Sequence, residues 1–399
     1  MKINTTLEVP KLNTTELLFA MSLSLYLFVG ILSTTFYFKY FAGTLHKGLL
    51  LLCIFILLMK EVLGHKVKKA ELFFVCLCGL MCCILFFSLG VMNDLICLVF
   101  FVYSARDVNF KKICGIALWV SMFTLFFVIL SAKIGLIPNY IGSRANGIER
   151  EYLGFLYALY PASIVFNCIL LYYYKNNKYK IKDIAFLVGI SLYVFQKTNS
   201  RLTFFLGILL IIVLSLEKKF QFIFENKIIK LLMISSFVLC AVFSIYLTLI
   251  YSPSDEKLSA INSFFGNRLS LGQTSILRYG FSIWGNPNIE WIGNGLTFDG
   301  QKAEGTYLWV DCLYLQLFQR YGIVFLVAVL FLLTLLSIGA ERMNDNKMLI
   351  ILVFIAFHCM IDDLSMYLFY NTFWLASGYF YNYIFIRKRA KYSVASSKI

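Results

Sequence analysis

Charge is scarce in this sequence: of 399 residues only 14% are Asp, Glu, Lys or Arg, against 60% hydrophobic, and the mean hydropathy is +0.79. So little polar surface cannot cover a soluble globule of this length, which excludes a soluble multidomain enzyme and makes the bilayer the solvent. Histidine is rarer still, with His46, His65 and His358 scattered along the chain. Without a histidine cluster, and without an Asp-x-Asp pair in an outer loop, no metal site is expected and no cofactor is called for. No strand leads into the glycine-rich IGNGLTFDG at 292–300 and no Lys-Ser/Thr follows it, so it resembles a phosphate cradle only superficially and reads as a turn. Cysteines number 11, but nearly all, among them Cys53, Cys76, Cys78, Cys82, Cys83 and Cys240, sit inside apolar runs, which rules out a disulfide framework. A cleavage site of small residues is missing after the first apolar run, so no removed signal peptide is expected.

What the chain has is apolar runs. They fall at 17–38, 46–63, 70–89, 92–105, 113–133, 153–174, 184–197, 201–217, 231–251, 321–340, 348–369 and 371–386. The expected fold is all-α: a polytopic transmembrane helical bundle of about 12 spans, forming a single integral membrane domain over 1–399. The net charge of +15 resolves into alternating loops, with basic clusters at Lys66 to Lys69, Lys111 and Lys112, Lys175 to Lys182, Lys218 and Lys219, and Arg387 to Lys391. Those loops are expected on the cytoplasmic side, with both termini, and no nucleic-acid partner is needed to explain the charge. A large extracytoplasmic loop then spans 251–320. Its length suits function, and Phe264, Phe265, Leu269, Leu271, Trp284 and Trp291 make it too apolar for disorder. One helix is expected near 266–283 and another near 306–320, with Trp284, Trp291 and Trp309 at the membrane interface.

Against the inside bias of basic residues, the outer half holds Arg144, Arg150, Arg201, Arg268 and Arg278. A guanidinium is a planar, permanently charged fork that matches phosphate oxygens in pairs, so converging arginines suit a pyrophosphate or an acidic sugar; snorkelling to headgroups and surface ion pairs are the alternatives. Arg201 lies in TNSRLTFF, where Thr198, Asn199 and Ser200 can cap the backbone freed by a turn, as at a re-entrant corner or an ordinary tight loop. Asp311, in VDCLYLQLFQRYGI, opens an expected helix with Tyr314 one turn later; it suits a general base, or a carboxylate interacting with a helix dipole. Asp299 and Glu304 are further acids of the same loop. In HCMIDDLSMY, His358 and Asp362 share a helix face, as a buried structural pair, a cavity-lining substrate contact or a proton relay.

Taken in order, RANGIEREYLGF, TNSRLTFF, NRLSLGQ, IGNG and VDCLYLQLFQRYGI, set among about a dozen spans, resemble the Wzy-type polysaccharide polymerases, relatives of the O-antigen ligases. The likeness covers roughly residues 110 to 370, each motif is short, and Cys312 stands where Asn is common in the family. It implies a GT-C-like bacterial inner-membrane glycosyltransferase, metal-independent, that joins undecaprenyl-pyrophosphate-linked repeat units outside the cytoplasm into capsule, O-antigen or exopolysaccharide. Donor and acceptor glycans and the bilayer would be its partners, with a flippase and a chain-length regulator beside it. Arg201 and Arg268 would match the family's essential arginines, Arg150 with Gly154 the middle loop, and Arg278 a supporting position. The ligases' loop histidine has no counterpart here. A lipid-linked oligosaccharide flippase or transporter is the rival class, but no second copy of TNSR or HCMIDD marks related halves.

Overall fold

The computed structural model describes residues 13–64, 72–89, 94–143, 147–217, 219 and 221–381. Among them are 17 α-helices and a single two-stranded hairpin, so the all-α expectation holds. Three helices are long and apolar enough to cross a membrane: α1 (Thr14–Leu32), α5 (Phe110–Lys133) and α15 (Ile323–Arg342). A fourth crossing is available if α10 (Lys227–Ile234) and α11 (Ser236–Ile250), bent by 60°, count as one broken span.

The other apolar runs fold into helices that are shorter or carry more charge. These are α2 (Thr44–Gly64), α3 (Leu72–Leu89), α4 (Asp94–Ser104), α6 (Tyr160–Lys175), α7 (Ile181–Thr198), α8 (Arg201–Leu216) and α16 (Asn346–Ile361), with a short α9 (Gln221–Glu225) before the broken pair. At 1.5 Å per residue α4 reaches about 16 Å, half of a ~30 Å hydrocarbon layer. The run at 348–369 does not continue as one helix. Its helix stops at Ile361, where Asp362 accepts from the Leu364 N–H at 2.9 Å, and Asn371 accepts from Phe373 N–H at 3.2 Å before α17 (Ala376–Tyr381) begins. Side-chain acceptors inside the bundle satisfy the freed backbone, which permits irregular chain where lipid would forbid it.

The centre of the bundle is α6, buried without a gap from Pro161 to Tyr174. A helix apolar on all faces must be surrounded, and α5, α7, α8 and α16 pack on it. Two of its polar residues are partnered by the broken segment after α16: Ser163 Oγ donates to Asp362 at 2.7 Å and Asn167 Nδ2 to Thr372 Oγ1 at 3.1 Å. The outward faces are apolar instead of charged. Leu51, Phe55 and Val62 on α2, Trp119, Phe123 and Leu130 on α5, and Val242, Tyr246 and Leu249 on α11 are all exposed, a surface that matches lipid and would aggregate in water.

Residues 251–320 fold against one end of the bundle. Asp255 caps α12 (Glu256–Phe264), a tight turn leads to α13 (Arg268–Tyr279), and an irregular stretch held by isolated bridges Ile292 to Leu308 and Leu296 to Lys302 runs to α14 (Leu313–Gln316). The helix expected near 306–320 therefore starts only at Leu313, and a π-helical turn, Leu317–Tyr321, closes it. At the crossing that follows, Gly322 (φ +91°) lies against the backbone of Gly285 (φ +94°), a contact that leaves no room for a Cβ on either. Two of the three tryptophans are not interfacial anchors. Trp291 is 7% exposed and donates to Ser275 Oγ at 2.8 Å, and Trp309 is half-buried with its N–H 3.4 Å from Asp363 Oδ1; Trp284 alone of the three is exposed. Burial of the other two follows from the loop packing on protein, where each indole N–H finds an acceptor.

Candidate functional site

Four chain segments converge on one cleft of about 980 Å³. The first is the hairpin of β1 (Ile141–Ser143) and β2 (Glu149–Glu151), in which Arg150 pairs with Gly142. Arg150 Nε donates to the Thr198 carbonyl at 2.6 Å, and its guanidinium lies 5.8 Å from the Tyr157 ring centroid. The second strand is fixed from its other side by Lys197, whose ammonium meets Glu151 at 2.6 Å.

The second segment is the turn between α7 and α8. Asn199 takes the left-handed conformation (φ 50°), and the Thr198 hydroxyl donates to Val194 O and Ser200 Oγ, so Ser200 does not cap α8 as expected. Arg201 is the first residue of α8, exposed and without a carboxylate partner among the described residues. A cation at a helix N-terminus opposes the dipole by about 0.3–1 kcal/mol, a cost that a bound anion turns into attraction.

The third segment is the α12–α13 turn, where Gly266 (φ 65°) and Asn267 (φ 67°) are both left-handed. Buried Asn262 holds it: its side-chain oxygen accepts from the N–H groups of Leu269 and Ser270 at 3.0 and 3.1 Å, standing in for the cap that Asn267 does not provide. Arg268 follows. Its Nη1 donates to Phe265 O at 2.6 Å, and Nε is shared between Ile361 O at 3.0 Å and Asp311 O at 3.2 Å. Its Nη2 is 3.5 Å from Asp311 Oδ2.

The fourth segment is the extended chain before α14, carrying Tyr307 and Asp311. Burial pushes the Asp311 carboxyl above the usual carboxylate range, and the positive charges of Arg268 and Arg150 pull it back. Burial, then the Asp311 charge, likewise raises the Tyr307 phenol, which stays a proton donor. With Lys302, the cleft lining sets four cations against this one carboxylate.

Of the residues singled out in the sequence, Arg150, Arg201, Arg268 and Asp311 meet in the cleft. Arg144 lies outside the described residues. Arg278 sits ten residues along α13 from Arg268, about 15 Å away by helical rise, exposed beside Tyr279. Tyr314 is corrected to a core residue: it is 1% exposed and its hydroxyl donates to Ala356 O at 3.0 Å. His358 and Asp362 are also corrected from substrate contacts to a buried pair, 1% and 0% exposed, with His358 Nε2 3.4 Å from Asp362 Oδ2. His358 Nδ1 meets Ser365 Oγ at 2.7 Å and its ring stacks on Phe166. Neither lines the cleft: Asp362 is held by Ser163 and the Leu364 N–H and His358 Nδ1 by Ser365, while His358 Nε2 is buried without a hydrogen bond among the described residues. Asp299 pairs with Lys39 at 4.0 Å and Glu304 is exposed; neither lines the cleft.

Sequence reasoning missed Asn262, Tyr157, Tyr307 and Lys302 as parts of this site. The left-handed pair Gly-Asn before Arg268 was the available signal for a fixed turn. Comparison with known proteins finds nothing: no family model, no curated protein and no solved structure matches the chain.

Proposed function

We propose that this protein is a polysaccharide polymerase of the cytoplasmic membrane, which joins lipid-pyrophosphate-linked repeat units on the outer face. The observation that carries it is the convergence of Arg150, Arg201 and Arg268 with a single carboxylate, Asp311, in a cleft at one end of an apolar bundle. Arginines in that number suit a pyrophosphate, and the apolar exterior suits a polyprenyl tail lying in lipid. The about twelve apolar segments would then place both termini in the cytoplasm and the 251–320 loop outside, in a GT-C-like arrangement.

In the reaction, a hydroxyl of the acceptor unit attacks the anomeric carbon of the donor glycan. The new glycosidic C–O bond forms, the C–O bond to pyrophosphate breaks, and polyprenyl pyrophosphate leaves with the bonding electrons. Asp311 takes the hydroxyl proton, and the arginines stabilise the charge that grows on the leaving phosphate. The activated donor supplies the driving force, so no nucleotide or metal enters.

The test is deletion of the gene in its host and extraction of the polyprenyl-linked saccharides. Single repeat units accumulating on the outer face, with long polymer lost, are expected. Single units held on the cytoplasmic face would make the protein a flippase, long polymer stranded on lipid would make it a ligase, and an unchanged profile would overturn the assignment.

A further inference from the structure

A second cavity, of about 290 Å³, opens beside the cationic cleft and shares Tyr157, Asn294, Tyr307 and Asp311 with it. Its chemistry is the opposite. Among the described residues not one Lys or Arg lines it, whereas the cleft has four. Its walls are aromatic, from Tyr157, Tyr160, Trp291, Tyr307 and Trp309, and its polar groups are the Asn294 amide and the carboxylates of Asp311 and Asp363. A phosphate finds no cation among the described lining residues here, while a neutral polyhydroxylated ring finds flat faces for its C–H side and polar partners for its hydroxyls. The volume lies at the lower edge of small-molecule sites, enough for a single sugar ring.

The chamber is built, not incidental. Asp363 is 8% exposed and spends its oxygens on fixing the wall: Oδ2 accepts from Gln316 Nε2 at 2.8 Å, and Oδ1 stands 3.4 Å from the Trp309 indole nitrogen. Trp291 meets Trp309 edge to face with ring centroids 6.2 Å apart. On the facing side the IGNG turn offers bare backbone. A Cβ on Gly293 would crowd the Trp309 ring at 3.1 Å, and at Gly295 the space is open, with only Leu156 O at 4.0 Å. The turn thus packs its Gly293 backbone directly on the Trp309 ring and leaves space open at Gly295.

We infer that this chamber is the acceptor subsite: it holds the terminal sugar ring of the acceptor saccharide on Trp309 and Tyr307, with the attacking hydroxyl beside Asp311 at the mouth shared with the pyrophosphate cleft. The assignment of the ring to an acceptor rests on the polymerase function proposed above; the charge division between the two cavities does not.

The experiment uses the full chain in lipid nanodiscs and two probes. One is the host's own repeat-unit saccharide, freed from lipid and pyrophosphate by mild acid; the other is farnesyl pyrophosphate. Trp309→Ala removes a wall, and Ala303→Trp, from an exposed position on the rim, fills the chamber without touching the core. Each weakens saccharide binding about tenfold, roughly the value of one well-placed aromatic contact, and leaves farnesyl pyrophosphate binding unchanged. Arg201→Gln does the reverse. Saccharide binding unmoved by both chamber variants, or lost only with Arg201→Gln, overturns the subsite. Failure of the polymerase function shows separately: wild-type protein that binds the saccharide through the chamber yet joins no lipid-linked units leaves a saccharide site without that reaction.

Discussion

Arg268 holds Asp311 twice, with Nη2 3.5 Å from its carboxylate and Nε 3.2 Å from its own backbone carbonyl, while the same Nε reaches Ile361 at the end of α16. One side chain thus fixes the carboxylate, the loop that carries it and the helix behind it. Removing the charge removes the alignment with it.

Arg268→Ala is expected to lower polymer formation on the order of 10²-fold or more, and to cost roughly 2–4 kcal/mol of stability because three backbone carbonyls lose their donor. Arg268→Lys rescues little, since a compact ammonium cannot span the three carbonyls and the carboxylate together. Polymer length normalised to inserted protein, with a thermal melt in detergent, checks both. Normal polymer from correctly inserted Arg268→Ala would remove its assigned role.

Arg150 bears on Asp311 through charge. Burial raises the Asp311 carboxyl, and Arg268 and then Arg150 lower it. A base must be ionised to act, so activity falls as pH drops through the Asp311 pKa. Arg150→Gln removes one stabilising cation, the pKa rises, and the acid limb of the pH–rate profile moves to higher pH. A limb that stays in place, or moves to lower pH, contradicts Asp311 as the base.

Arg201 is exposed and bonds to no acid among the described residues, so Arg201→Gln should change stability by less than about 0.5 kcal/mol. The same substitution should raise KM for the lipid-linked donor. Titration with salt should weaken donor binding in the wild type more steeply than in the variant. Equal KM and equal salt slopes would place the anion elsewhere.

His358 and Asp362 answer differently. Both are buried, with His358 Nδ1 bonded to Ser365 and Asp362 bonded to Ser163 and the Leu364 N–H. Asp362→Asn should lower the melting temperature while rate per folded molecule and its pH profile stay close to wild type. A changed pH profile at unchanged stability would restore the proton-relay reading.

Much of the cleft was legible because charge is costly in so apolar a chain. Arg150, Arg201, Arg268 and Asp311 stood out against the inside bias of basic residues, and folding brings them together. The same logic left His358 and Asp362 open between a buried pair and a substrate contact and set Tyr314 beside the expected base, since a polar group in an apolar run can be satisfied by core partners far away in sequence: Asp362 bonds a serine 199 positions earlier. Asn262 and Tyr307 gave no local signal, because their roles rest on turns and contacts that exist only after folding. Hydropathy shows where apolar runs lie, yet not where helices stop; the run at 348–369 is continuous in composition and broken in structure at Asp362.

The most direct measurement is reconstitution of the purified protein in liposomes with its host's lipid-linked repeat unit alone, without nucleotide sugar and with chelator present. Wild type should convert the units into a ladder of longer lipid-linked saccharides and release one polyprenyl pyrophosphate per bond formed, and Asp311→Asn should give neither. Saccharide that stays a single unit with wild type, or a ladder made equally well by Asp311→Asn, would contradict glycosyl transfer at this cleft.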